Sequence, residues 1–527
     1  MNSFFLNAQN INLSNGKIFE GEPFLRVNPN NSQHLVLVWM GYDHPYKVAL
    51  YYRVSFDAGN TWSNKAKIQQ TNSVFSAADP SIDFDNQGNV YLSYVEFVSP
   101  PNTTDSGGIF MRKSTDGGLT WQSPVKVMDL NSDPGKRAID RPWLRVDRSS
   151  GSSNGNIYIT SMNMAGVTTP PFNPYLHRSF DGGNTWEAYK YIDTAGWLSG
   201  NFISHPMSTP DVSATGVFHA IYPSYDYTQN PYPRYIHVKS SDSGNTLNYN
   251  TVFYDTNNVN DSFPKKGYLL RVNPINPQHL IFFYLAKNYG DIDVFARESY
   301  DGGMTWAGPQ RINDDPVSNK RMQDLVWAEF NQHGDLFVAW RDRRNAPDST
   351  FTTSSEIWGS VKWHDSTDFA VNFKISDNLV PYDSILGATS GNDFMCVQFS
   401  NDTAYAVWGS NTTGTLNIWF QRINLSNLTN VNIESAKNLP SDYTLYQNYP
   451  NPFNPSTTIN FSLPKTEYVT LNVFDALGNE ITTLVNAEMP SGEHSVVFDA
   501  KNLSSGVYFY KLQSGEFVQV NKMILMK

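Results

Sequence analysis

The chain has 527 residues, with 38 lysines and arginines against 49 aspartates and glutamates, so its net charge is −11 and a nucleic-acid partner, which needs a basic face, is excluded. Aromatic residues make up 14%, glycine and proline number 34 and 30, and no segment sustains a helical period, so the class to expect is all-β. The single cysteine, Cys396, leaves no intrachain disulfide, and no run of about 18 apolar residues offers a membrane span.

The N-terminal stretch MNSFFLNAQNINLSNG has neither the basic start nor the apolar run of a signal peptide. Either such a segment has been removed or the protein stays inside, and the C-terminal end decides between these. From Pro23 a unit recurs, each copy a short strand, a turn and a strand ending in an aromatic: PFLRVNPNNSQHLVLVW, PSIDFDNQGNVYLSY from Pro80 and PWLRVDRSSGSSNGNIYIT from Pro142. The series continues with PDVSATGVFHAIY from Pro210, YLLRVNPINPQHLIFFY from Tyr268, DLVWAEFNQHGDLFVAW from Asp324 and DFMCVQFSNDTAYAVW from Asp393. Starts therefore fall near residues 22, 78, 140, 208, 266, 323 and 392.

Within the units an octet recurs: SFDAGNTW from Ser55, STDGGLTW from Ser114, SFDGGNTW from Ser179 and SYDGGMTW from Ser299, with a worn copy, SSDSGNTL, from Ser240. The first serines are 59, 65, 61 and 59 residues apart, the period of a repeat architecture. Ser and Asp side chains bond to backbone within a tight turn, Gly supplies positive φ, and the Trp is expected to start the next strand and anchor the turn. Asp57, Asp116, Asp181, Asp242 and Asp301 are thus structural residues. Each complete unit then gives four antiparallel strands, one propeller blade. A degraded octet is expected near His364 to Asp368, and the seventh unit lacks a fourth strand, which Gln9 to Phe19 can supply to close the ring. Residues 1–430 read as a seven-bladed propeller, with six blades as the alternative.

The octet resembles the Asp box of the sialidase-like (BNR-repeat) β-propeller families, whose members are six-bladed and carry the box on the face away from the active site. A motif present in every unit marks the fold and not a unique site. After a linker at 431–440, residues 441–527 give short alternating strands, an Ig-like β-sandwich. There YPNPFNPSTTI (Tyr449 to Ile459) and GVYFYKL (Gly506 to Leu512) resemble the C-terminal sorting domain of the type IX secretion system. That resemblance implies export to the surface of a Bacteroidetes-like bacterium and a partner in the secretion machinery.

In a propeller, chemistry gathers where the first strand of each blade begins. The resemblance implies an exo-α-sialidase or other glycoside hydrolase acting on glycans as a monomer. Such an enzyme needs an arginine triad on the substrate carboxylate, a Tyr nucleophile activated by a Glu, and an acid/base Asp. Asp43, twelve residues before Ser55, occupies the region of the acid/base. Tyr225 with Asp226 is the nucleophile pair on offer, and Arg26, Arg141, Arg271 and Arg341 are the candidate substrate arginines. Three departures stand against the enzyme. Arg26 in Phe24-Leu25-Arg26-Val27 comes one residue later than in the family motif, which on a strand means the opposite face. No glutamate occurs from Ala188 to Arg297, where the one that activates the Tyr belongs. Finally, Arg26, Arg145 and Arg271 align with Asp83, Ser213, Glu329 and Gln398, as in a ring of interlocking charges.

The run WRDRRN (Trp340 to Asn345) reads as an arginine clamp or as a salt-bridged loop. A lyase would need a pair such as Tyr225 with His205 or His44. The other class of function is a non-catalytic propeller binding glycan or protein at the same mouth. No cofactor is expected; Ca²⁺ is the one metal with oxygen ligands to hand, at Asp291, Asp293, Asp314 and Asp315, without a recognised loop spacing.

Overall fold

The computed structural model describes residues 9–16, 18–44, 47–98, 106–164, 167, 169–194, 206–225, 232–255, 267–350, 352–380, 394–426, 442–489 and 492–527. These hold strands, turns and loops and no helix. The chain divides into two compact units: Met1–Leu285, Val294–Pro309 and Gln323–Leu425 form the first, and Ala286–Asp293, Gln310–Met322 and Ser426–Lys527 the second.

Seven four-stranded antiparallel sheets follow one another along residues 11–424. Sheet 1 is Glu20–Asn28, Asn31–His44, Lys47–Ser55 and Ala66–Lys67 in that order. Sheets 2 to 7 begin with Phe75–Phe84, Asp140–Val146, Thr209–Val212, Leu269–Val272, Gln323–Phe330 and Cys396–Ser400. The first strand of each sheet adjoins that of the next, and the first strand of sheet 7 adjoins that of sheet 1, so the seven form a closed ring. As the sequence suggests, the closing strand is N-terminal: Ile11 and Asn12 pair with Phe420 and Trp419 on the edge of sheet 7.

In four sheets the first half of the first strand carries a left-handed residue at a β-bulge: Glu22 (φ 51°), Asp79 (φ 54°), Arg141 (φ 49°) and Leu325 (φ 54°). A bulge re-aims the strand end, and holding a non-glycine residue there costs of order 1 kcal/mol. These strained residues all stand at one edge of the ring, the mouth, where second strands end, third strands begin and fourth strands end.

The octets lie at the opposite edge and form one hydrogen-bond pattern. At the first, the Ser55 hydroxyl donates to Asp57 Oδ1 (2.8 Å) and accepts from the Gly59 amide (2.8 Å), while Thr61 donates its amide and hydroxyl to the two Asp57 oxygens (2.8 and 2.6 Å). The worn copy keeps the same bonds around Asp242. The near copy at His364 to Asp368 does not: there the Ser366 hydroxyl bonds the Asp368 carbonyl, and His364 turns to Asp335. Contrary to the expectation, the octet Trp does not start a strand; loop residues separate Trp62 from Ala66–Lys67.

The octets also join neighbouring sheets. A Cβ on Gly59 would stand 2.6 Å from the ring of Phe420 in sheet 7, and one on Gly118 would meet Val36 of sheet 1 at 3.0 Å. His34 Nε2 of sheet 1 reaches the Gly117 carbonyl of the next octet (2.8 Å). Sheet 6 lacks an octet, and an ion pair replaces it. His279 of sheet 5 bonds Glu298 Oε2 (2.7 Å), and Lys362 of sheet 6 donates to Glu298 Oε1.

In the second unit, one sheet of Thr444–Leu445, Ser456–Leu463 and Gly492–Asp499 and another of Glu480–Met489, Glu467–Phe474, Gly506–Ser514 and Phe517–Leu525 share a buried cluster that includes Ile459, Phe461, Leu471, Tyr510 and Met523.

Candidate functional site

Alternate residues of the first strands build layers around the ring centre. In one layer Arg26, Asp83, Arg145, Asp211, Arg271, Glu329 and Gln398 follow one another round the seven sheets: three cations, three anions and one amide. Asp211 holds the place that the sequence alignment gives to Ser213. The hydrogen bonds fix this correction: Asp83 Oδ2 accepts from the Val146 amide (3.0 Å) of the next sheet, and Asp211 Oδ2 accepts likewise from Val272 (2.9 Å). Pro23, Pro80 and Pro142 follow the left-handed residue, whereas Pro210 pairs with Ala220 inside its strand, so aligning the prolines displaces sheet 4 by two residues.

The ring is internally paired. Arg26 lies 2.6 Å from Glu329 Oε2 and 3.6 Å from Asp83, Arg271 lies 3.3 Å from the same Glu329 oxygen, and Arg145 lies 3.1 Å from Asp211. Gln398, where an odd-membered ring cannot continue the alternation, donates to Glu329 (3.4 Å) and accepts from the Val27 amide (3.2 Å). Burial works to raise the Glu329 carboxyl, but Arg271 and Arg26 outweigh it and hold the group below the glutamate range. Asp211 goes the other way, pushed up to about 6 by burial against the pull of Arg271.

Toward the mouth, the next layer is aromatic. Trp327 packs on Phe24 (5.5 Å) and Trp143 (5.3 Å), and Trp143 on Phe394 (5.5 Å). Arg26 lies over Phe24 and Arg271 over Trp327, both at 5.5 Å. These rings separate the charged layer from the mouth, and sequence reasoning missed them; the available signal was the place of Phe24, Trp143 and Trp327 two residues before Arg26, Arg145 and Glu329.

The mouth edge carries both signs: Glu22 and Asp324 are buried there, Asp79 and Asp140 are half-buried, and arginines stand beside them. Arg141 places its guanidinium over Phe394 (5.0 Å), and its amide bonds Asp79 Oδ2 (3.3 Å). Arg341 grips Asp324 with two bonds (2.6 and 2.5 Å), and Arg343 shares that carboxylate at 3.3 Å. Arg344 holds Asp342 (2.9 Å) and lies over Trp358 (4.0 Å). The WRDRRN run is therefore the salt-bridged loop. Beside it a small cleft is lined by Leu325, Arg341, Ser355, Phe394, Trp408 and neighbouring residues.

Of the predicted catalytic residues, Asp43 is paired with Lys67 and accepts from the Tyr51 hydroxyl (3.3 Å), both in its own sheet. The Lys67 hydrogen bond holds its carboxyl below the usual range, the opposite of what an acid catalyst needs. Nearby, Glu20 accepts from Trp39 Nε1 and pairs with Lys65 (2.7 Å), and burial raises its carboxyl. Tyr225 is half-buried at the end of the second strand of sheet 4; Asp226, His205 and the starts Lys266 and Asp393 lie outside the described residues, as does the side chain of His44. The structure brings Arg26 and Arg271 together, but on Glu329, and Arg341 is committed separately to Asp324. The Ca²⁺ candidates are also engaged: Arg311 lies 2.7 Å from Asp293 and 3.1 Å from Asp315, and Asn313 donates to both.

Fold and site together define an all-β protein of repeated four-stranded sheets, with a mouth of paired charges above an aromatic layer and a neutralised charge ring. Residues 447–526 match the family model described as a secretion system C-terminal sorting domain. That tail indicates a secreted or cell-surface protein of a Bacteroidetes-type bacterium, in contact with the type IX machinery. No curated protein sequence matches the chain. Among solved structures, the chain is similar to a protein of unknown function from Dyadobacter fermentans (14% identity, 79% of this chain and 98% of that one, TM-score 0.46). It is also similar to an α-L-arabinanase of Penicillium chrysogenum complexed with arabinobiose (13%, 79% and 98%, 0.44) and to Trypanosoma rangeli sialidase in complex with sialic acid (10%, 99% and 87%, 0.43). The sheet pairings carry the fold.

Proposed function

We propose that the protein is an exported seven-bladed β-propeller, followed by an Ig-like β-sandwich, whose mouth binds glycans without hydrolysing them. One observation carries the second half of this reading: the arginines that a sialidase would aim at its substrate are spent on the protein's own carboxylates. Arg26 and Arg271 meet at Glu329, and Arg341 is bidentate on Asp324. A substrate carboxylate would have to displace a buried pair, and breaking such a pair costs about 3–5 kcal/mol. The depressed Asp43 carboxyl points the same way. Glycan binding is supported by the polar mouth with its partly exposed tyrosines, whose rings and hydroxyls suit sugars. The five octets support the propeller and say nothing about chemistry. The test is a glycan array probed with the full chain, with released reducing sugar followed in parallel. Binding without release is expected; release from any glycoside overturns the non-hydrolytic reading, and absence of binding to every glycan points to a protein partner instead.

A further inference from the structure

Resting on the glycan reading, we infer that the ligand of the mouth is a neutral oligosaccharide, held by tyrosine rings at the rim and not by cations. Three tyrosines stand at the mouth ends of strands with their rings in part open to solvent. Tyr42 lies two residues before the end of the second strand of sheet 1 (37% exposed), Tyr191 ends the fourth strand of sheet 3 (41%) and Tyr254 the fourth strand of sheet 4 (49%). A tyrosine offers an apolar face to the C–H side of a sugar ring and a hydroxyl to its edge, and it loses little conformational freedom on binding.

Two of the rings, Tyr191 and Tyr42, are also held in place before any ligand arrives. Tyr191 donates its hydroxyl to Asp133 (2.9 Å) and packs against Tyr175 and Tyr189 at 5.4 and 5.7 Å. Asp133 is itself buried and also takes the Tyr175 hydroxyl (2.7 Å), so the platform is fixed from below while the Tyr191 ring stays open. Tyr42 packs on Phe19 at 5.3 Å. A platform set in advance spares the ordering cost of binding.

The charges at the same edge argue against an acidic sugar. Arg341 and Arg343 are drawn onto the buried Asp324, Arg141 lies over a ring, and the carboxylates of Asp79 and Asp140 are half-buried beside them. An anionic ligand would find these three arginines already engaged, under a net charge of −11.

Calorimetric titration of the full chain with arabinohexaose, xylohexaose and cellohexaose, against 3′-sialyllactose and tetragalacturonate, at low and high salt, tests this. At least one neutral probe is expected to bind with an affinity that salt barely changes. Tyr191→Ala or Tyr254→Ala should weaken that binding about tenfold, as loss of an aromatic anchor does. Both side chains are open to solvent, and circular dichroism checks that each variant stays folded. Binding confined to the acidic probes and falling steeply with salt overturns the neutral-ligand inference while leaving the glycan reading intact. Neutral binding indifferent to both tyrosine substitutions overturns the assignment to the rim. No binding of any probe overturns the inference, and a glycan array that is blank as well removes the reading beneath it.

Discussion

Replacing Glu329 by glutamine removes the carboxylate on which Arg26 and Arg271 both depend. Their side chains are 6% and 1% exposed, so neither can recover solvation without distorting the ring. At 2.6 and 3.3 Å, with an effective dielectric of about 20, each attraction is about 5–6 kcal/mol before desolvation. The net cost of stranding a buried charge is smaller, about 3–5 kcal/mol. All 13 tryptophans precede Leu425, so tryptophan fluorescence during denaturant unfolding of the full chain reports on the first unit alone. Glu329→Gln should lower the midpoint by the equivalent of that loss at neutral pH. Because the Glu329 carboxyl is held below the ordinary value, its contribution is complete above the glutamate range and disappears as pH falls through the depressed value. Wild type and variant should therefore converge in acid. The triple change of Arg26, Arg271 and Glu329 to methionine should cost much less than Glu329→Gln, since no charge is stranded. A Glu329→Gln loss below about 1 kcal/mol would refute the view that these arginines are held by the ring.

Three further outcomes follow from the joints between sheets. Gly59→Ala places a Cβ 2.6 Å from Phe420 at a φ of 81°, so thermal unfolding should show a loss of about 2–3 kcal/mol; Gly155→Ala, at φ 87° with nothing within 4 Å, should lose only the backbone share of about 1 kcal/mol. Asp301 is brought down to about 2, first by the Thr305 hydroxyl, so its stabilisation is present above the aspartate range and lost as pH falls toward 2; Asp301→Ala should differ from wild type at pH 5 and match it in strong acid, read by circular dichroism. Lys362→Met removes one of the partners that hold the Glu298 carboxyl near 2, so NMR titration of Glu298 should show its midpoint rising.

The repeat was legible because its turn chemistry is local: Ser55, Asp57, Gly59 and Thr61 bond to one another, so the octet is preserved as a string of letters. The closing strand was legible from arithmetic, since the seventh unit runs out of chain. The site was harder to read because its partners lie on different sheets. Arg26 and Glu329 are 303 residues apart, and no string joins them. The alignment still found the ring and erred by two residues at Asp211, where a proline inside the strand imitates one at a bulge. The setting of Asp43 was not legible, because its placement in the sequence says nothing of Lys67, which pairs with it across the sheet.

Release of a fluorogenic sialoside by the full chain, beside Asp43→Asn, tests most directly whether Arg26, Arg271 and Arg341 are structural. With Arg26, Arg271 and Arg341 committed to Glu329 and Asp324, no release above the buffer rate is expected from either protein. Release by the wild type that Asp43→Asn abolishes would contradict the account and restore a sialidase.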